Sequence, residues 1–591
     1  MKRIIKITLV LITFLLIQIS CKKEFLEPTP LSFYAPENVY VNKAGFEAGL
    51  VTVRKDLLND FYGDRSHLCA DTHGTDLGNM TFASDWNTVT PSSGTYLPIL
   101  PMFARIYGYI KNTNVIISRI DDIKWSSDAD RNAILSQAYF YRSWWYYRLV
   151  NTYGDVPFLG KELKEAKLDF FTHSKWAILK KIQSDMEYAV QWLPATPPNG
   201  QPSKYAGLHL LAKIYMENTE FDKAIDAATS VINGPFALMT ARFGAWLGDK
   251  NRNLLWDLHR PENKALAQNT EDILILIDRS AAPAGAKTVG TYTMRNYTPT
   301  WWHNNVKDSK GLHGTRDVFA DGTRTPMYDT LGRGNPDITA VPWASYTNWY
   351  DGTYTWRNTP DMRRSNINWV DCSELLYNEP TSVDYRKPFN PAYFALLSDS
   401  LTTMFPFPHY KTWFPHEAGF TGRPMGGNGD YYVFRLAETY LIRAEAYFWK
   451  NKPDLAADDI NKVRERSKAL PITSADVTLD FIFDERTREL YLEEMRHTEL
   501  VRAALILAKL NKDGYSLAAF TTKNWFYDRV MSRNKFYQLG LIGSNKFTLS
   551  PYNVFWPIDV NVITANTMGV INQNEGYQGA ENNQPPLETI E

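Results

Sequence analysis

Cysteine is scarce in this chain: Cys21, Cys69 and Cys372 are all there is among 591 residues. Three thiols cannot build a disulfide framework, so folding has to rest on a core. Cys69 and Cys372 read as small buried side chains or as one bridge, and spacing does not choose between them. An excess of one charge is missing too. Lys and Arg number 64 against 65 Asp and Glu, a formal net charge of −1. No positive field exists to gather a polyanion, so nucleic acid is not an expected partner. After Ile19 no apolar run is long enough to cross a bilayer, which predicts a soluble mature body. The ten histidines form no HExxH, and CxxC and Walker-type loops are absent. No metal centre, cofactor or catalytic residue is expected.

What is present begins at the N-terminus. Lys2, Arg3 and Lys6 precede an apolar run from Ile7 to Ile19, and small Ser20 stands just before Cys21. This is the layout of a secretion signal. A cysteine at the cleavage point points to a lipoprotein signal over residues 1–20, with Cys21 acylated. An ordinary signal peptide with an incidental cysteine is the alternative, and Gln18 stands where lipoprotein signals favour Leu. Residues 21–40, with Pro28 and Pro30, read as an extended tether.

Apolar spacing of three and four predicts a helix from Asn42, through Phe46, Leu50, Val53 and Leu57. A loop is expected from Asp64 to Pro101. Asp130–Val150 and Lys175–Leu193 read as helices. Ser203–Ile232 and Tyr431–Ala469 read as helix pairs, broken at Asn218-Thr219-Glu220 and Asn451-Lys452-Pro453. Both pairs carry alanine where helices must approach closely. That pattern fits tetratricopeptide repeats and generic helix hairpins about equally. From Pro235 to Asp430 the helical period gives way to long loops, with one buried strand predicted at Ile273–Ile277.

Several segments together carry a family resemblance. Gln137–Arg142 through Leu149–Pro157, Phe434–Ala446, Ile460–Arg464, Glu485–Arg502, Trp556-Pro557-Ile558 and Asn572–Tyr577 follow, in order, the motifs of SusD/RagB lipoproteins. Leu492, Glu494, His497, Glu499 and Glu575 depart from them. The resemblance implies a mainly α fold, a tetratricopeptide-like helical scaffold with a loop-rich, aromatic-rich ligand face. Its division would be one domain over 41–591, with scaffold at about 42–234 and 431–510, a ligand region at about 235–430 and a C-terminal segment at 511–591. It implies a lipid-anchored outer-membrane protein at the cell surface. Such a protein captures oligosaccharides, or peptides in RagB-like members, and passes them to a SusC-like TonB-dependent transporter without cleaving them.

The charged run Asp484–Arg502 reads as structural ion pairs along a helix surface, Arg486 with Glu489 and Glu493 with Arg496. Asp71, Asp76 and Asn79 read as a solvated turn or as a structural calcium site. His303 and His313 lack an evident third ligand. The aromatic loops are the stronger signal, since 18 Trp and 34 Tyr are many. A sugar offers an apolar C–H face to an aromatic ring and hydroxyls to Asn, Asp or Arg. The ligand-binding candidates are Trp86, Asn87 and Tyr96; Tyr292, Tyr297, Trp301 and Trp302; and Trp343, Trp349, Tyr350 and Trp356. The competing reading is that these rings anchor the loops.

Overall fold

The structure is a computed structural model that describes residues 35–80, 85–92, 99–393 and 404–590, the side chain of Cys372 excepted. Residues 1–34, with Cys21, and Tyr96 lie outside the described residues. Ten longer helices form the scaffold: α1 (Lys43–Phe61), α2 (Ile99–Arg119), α3 (Asp128–Tyr153), α4 (Lys175–Trp192), α5 (Lys204–Glu217), α6 (Phe221–Ile232), α7 (Leu436–Trp449), α8 (Pro453–Arg466), α9 (Leu479–Leu490) and α10 (Arg496–Lys509). No described helix is long and apolar enough to cross a membrane.

Local sequence sets the helix ends. Ser127 caps α3 by accepting a hydrogen bond from the backbone N–H of Asp130 at 3.1 Å, and Gly154 ends it at φ +66°. The second half of α3 is buried all round, which marks it as the central helix. Ser203 caps α5 in the same way, through the Ala206 N–H at 3.1 Å. The pairs α5–α6 and α7–α8 are antiparallel hairpins, and α6 packs on α7, so they stack in the tetratricopeptide manner. Alanine makes the close approach possible: Ala212, Ala224, Ala228, Ala444, Ala446 and Ala456 are fully buried. Each hairpin turns through one left-handed residue, Thr219 at φ +65° and Asn451 at φ +55°.

Between the two hairpins the chain leaves the scaffold and returns as β1 (Asp272–Leu276) antiparallel to β2 (Tyr431–Arg435). Residues 431–435 are thus a strand, where a helix was expected. Tyr-Tyr-Val-Phe suits a pleated strand, and β1 supplies its ladder partner. The expected loop at 64–101 also needs correction, because His67–Thr72 is helical and α2 opens at Ile99. The last residues of the expected tether are docked rather than extended. Pro36–Val39 forms a helical turn, the ring of Tyr40 meets that of Phe46 at 5.0 Å, and Glu37 pairs with Arg119 at 2.5 Å.

The charged run proves to be core, not surface. Glu485, Arg486, Glu489, Arg496, Glu499 and Arg502 are almost fully buried. The expected neighbour pairs are not formed, because these side chains reach across elements instead. Arg435 pairs with Glu271 at 2.7 Å, Glu489 at 2.7 Å and Glu493 at 2.9 Å. Arg363 reaches Glu485 at 2.7 Å, and Arg486 reaches Glu494 at 2.6 Å. Burial would raise the Glu489 carboxyl, but Arg466, Arg435 and Arg363 hold it well below the usual range.

Asp71, Asp76 and Asn79 are also buried, so the solvated-turn reading fails. Asp76 accepts from Arg496 at 2.7 Å and Arg529 at 2.6 Å, and Asp71 from Arg148 and Thr498. Both aspartates are thus paired with arginine guanidinium groups. Cys69 is a buried free thiol, its pKa pushed well up by burial.

Candidate ligand-binding site

The aromatic candidates divide by depth. Trp86, Tyr297, Trp301 and Trp349 are buried, at most 3% exposed. Trp86 stacks on His73 at 5.1 Å, and Trp349 donates its indole N–H to the Ala344 carbonyl at 2.9 Å. Their faces are occupied by protein, so the expectation of solvent-facing rings does not hold for these four. Asn87 is exposed on the short turn beside Trp86, and Tyr292 is half-buried at φ +55°. Trp343 is half-buried, with the guanidinium groups of Arg533 and Arg529 at 5.1 and 5.5 Å from its ring. Trp356 packs on Tyr346 at 5.1 Å and under Arg357 at 4.2 Å. Tyr350 is 52% exposed.

Trp302 of the second cluster lines an open concavity. About 650 Å³ in volume, it is walled by Trp302, His303, Asn304, His313, Arg316 and Asp317, with Arg333 and Glu379 closing it. The chain builds it by splitting two neighbouring indoles. Trp301 points inward and donates its N–H to the Gly332 carbonyl at 2.9 Å. Trp302 points outward, half-buried, and donates to the Gly334 carbonyl at 2.8 Å. Gly332 sits at φ +79°, and a Cβ there would lie 2.7 Å from the Pro424 carbonyl oxygen. Only glycine fits that backbone, so the receiver of the Trp301 anchor is fixed by sequence.

Polar groups around Trp302 are held in place. The Arg333 guanidinium lies over the indole, 3.7 Å from its centroid, and reaches Asp317 at 3.5 Å. Arg316 pairs with Glu379, and Asn378 clamps the Arg316 backbone through bonds of 2.8 and 2.9 Å. Burial would raise the Glu379 carboxyl, but Arg316 and Thr381 draw it below the usual range. Partial burial lowers His313, whose Nε2 lies 3.2 Å from the Trp302 carbonyl and 3.3 Å from Thr315 Oγ1. His303 and Asn304 are exposed at the rim. The wall therefore offers one aromatic edge, two imidazoles, an amide and balanced charge pairs. It suits a neutral, hydroxyl-rich ligand better than an ion. Among the described residues no set of His, Cys, Asp and Glu is grouped to hold a metal.

Arg316, Asp317, Arg333 and Glu379 were not among the candidates. They sit among ordinary charged residues, and only the fold brings them to Trp302.

Residues 276–577 match the family model described as the SusD family, and residues 62–216 match one described as starch-binding associating with outer membrane. The chain belongs to the SusD family. It is 22% identical over 528 residues to SusD-like protein P25 of Formosa agariphila, covering 84% of this chain and 90% of that one. It is 24% identical to the starch-binding protein SusD of Bacteroides thetaiotaomicron, over 78% of this chain and 75% of that one. Among solved structures, a laminarin-binding SusD-like protein superposes with a TM-score of 0.60 at 18% identity, over 91% of this chain and 100% of the other. A surface glycan-binding protein A from Bacteroides uniformis superposes with a TM-score of 0.60 at 17% identity, over 90% and 99%. These likenesses establish a shared fold.

Proposed function

We propose that this protein is a nutrient-binding lipoprotein of the outer membrane, anchored through Cys21, that captures oligosaccharides and delivers them to a SusC-like TonB-dependent transporter. It binds without cleaving. The observation that carries the reading is Trp302, half-exposed at the wall of an open concavity while its neighbour Trp301 anchors the loop beneath it. A half-buried indole at the wall of a concavity, edged with fixed donors and acceptors, is the chemistry that holds a sugar ring. The starch-, laminarin- and glycan-binding names of the relatives agree with that class of ligand. The carboxylates of the scaffold's charged run are buried and engaged in ion pairs, in keeping with a binding role.

Isothermal titration of the purified mature protein against a broad oligosaccharide set tests this. Trp302→Ala is expected to weaken binding about tenfold or more, since a central aromatic contact is worth about 2 kcal/mol. Clear binding to peptides with none to any glycan would replace the reading by a peptide-capturing lid on the same scaffold.

A further inference from the structure

A second pocket, of about 370 Å³, opens on another part of the molecule, where two distant sequence motifs meet. One is Tyr153-Gly154-Asp155, at the end of α3. The other is Asn572–Glu575, near the C-terminus. Asn574 Nδ2 donates to the Tyr153 carbonyl at 3.0 Å and the Trp556 carbonyl at 2.7 Å, which locks the two together. Gly154 turns the chain beside it at φ +66°, a conformation that favours glycine.

Lys175, the first residue of α4, lines this pocket. Its ammonium lies 5.1 Å from the Trp176 ring, 5.3 Å from Phe555 and 5.9 Å from Phe520. Among the described residues it makes no hydrogen bond and no ion pair, so three N–H donors are free. Burial lowers its pKa, with Asp155 and Glu217 only partly opposing. Asp155 uses one oxygen to accept the Lys175 backbone N–H at 2.8 Å, which leaves the other free. Glu575 stands exposed at the rim. Free donors and free acceptors therefore face the same small space, beside aromatic walls.

We propose that this pocket is a second binding site, for one neutral sugar residue, separate from the concavity at Trp302. Adjacent hydroxyls of a sugar both donate and accept, so a diol satisfies Lys175 and Asp155 together. An anion would meet two carboxylates, Asp155 and Glu575, against the one ammonium in the wall. A cation would meet Lys175. A volume of about 370 Å³ is room enough for a single sugar ring.

The test is saturation-transfer NMR on purified protein carrying Trp302→Ala, which removes the ring of the first site and so separates the two proposals. The probes are the methyl glycosides of glucose, galactose, mannose and N-acetylglucosamine, with methyl glucuronide as the charged arm. Transfer from at least one neutral glycoside is expected, falling severalfold on adding Lys175→Met. Asp155→Asn, which keeps an oxygen for the helix cap, is expected to weaken the same signal if Lys175→Met disturbs the fold. Transfer from no neutral glycoside, transfer from the glucuronide alone, or a signal that neither variant moves would overturn the second site.

Discussion

At the scale of single residues, the decisive fact is that charge is buried here on purpose and in cross-element groups. Arg435 stands on the last position of β2 and meets Glu271, Glu489 and Glu493, which lie on two stretches of chain far apart in sequence. It acts as a cross-brace between the strand and α9. Arg435→Met leaves three buried carboxylates short of a partner and is expected to cost about 3–5 kcal/mol, read from urea unfolding midpoints. Arg435→Lys should recover only part of this, since an ammonium cannot span the same fork. A loss under 1 kcal/mol for Arg435→Met would show that the group does not act as a brace. The residue types of this network were legible in the run from Asp484 to Arg502. The partners were not, because Glu271, Arg363 and Arg435 come from far away in sequence and only the tertiary fold pairs them. The same limit governs the ligand site. Trp301 and Trp302 are identical neighbours, and what assigns one inward and one outward is the position of Gly332 and Gly334.

At the scale of elements, the two helix hairpins were the most legible part of the molecule. Period and breaker are both local, so Asn218-Thr219-Glu220 and Asn451-Lys452-Pro453 marked the turns within a residue or two of α5–α6 and α7–α8. Helix α2 was hidden, although Met102, Phe103, Ile106 and Ile110 form a regular buried stripe. Pro101 reads as a breaker, yet it lies in the first turn, where no N–H is needed and proline is tolerated. The paired turns make a prediction of their own. Thr219 holds φ +65° with a β-branched side chain, whereas Asn451 holds the matching place with a residue that tolerates it. Thr219→Asn is expected to stabilise by about 1 kcal/mol, seen as a rise in the thermal midpoint. Asn451→Thr should lower it by a similar amount. Opposite or null shifts at both places would mean that the left-handed turn is not what limits the hairpins.

At the scale of the whole molecule, buried ionisable groups make stability depend on pH from both sides. Asp76 is held at about 2 because Arg496 and Arg529 outweigh the effect of burial. A carboxylate lowered in this way stabilises fully above its ordinary value of 3.8, and that stability is lost as pH falls through about 2. Burial holds His409 and His497 at about 4, so the folded protein keeps them neutral while the unfolded chain charges them near 6.5. Their contribution is therefore lost progressively as pH drops from 6.5 through 4. Glu217 acts in the opposite sense. Burial raises it to about 7 from 4.5, against the pull of Asn151, Arg502 and Lys175. The folded state keeps that proton where the unfolded state releases it, so stability is present below 4.5 and is lost as pH rises through 7. The Glu217 carboxyl accepts from Asn151 at 2.8 Å through one oxygen, a bond that an amide oxygen can keep. Glu217→Gln is thus expected to match the parent protein near pH 4.5 and to exceed it by about 1–3 kcal/mol above pH 7. Urea unfolding across that range measures the difference, which should open with the profile of a single titration. A constant offset between the two proteins would show that Glu217 is ionised in the folded state throughout, and that the cations near it compensate its burial fully.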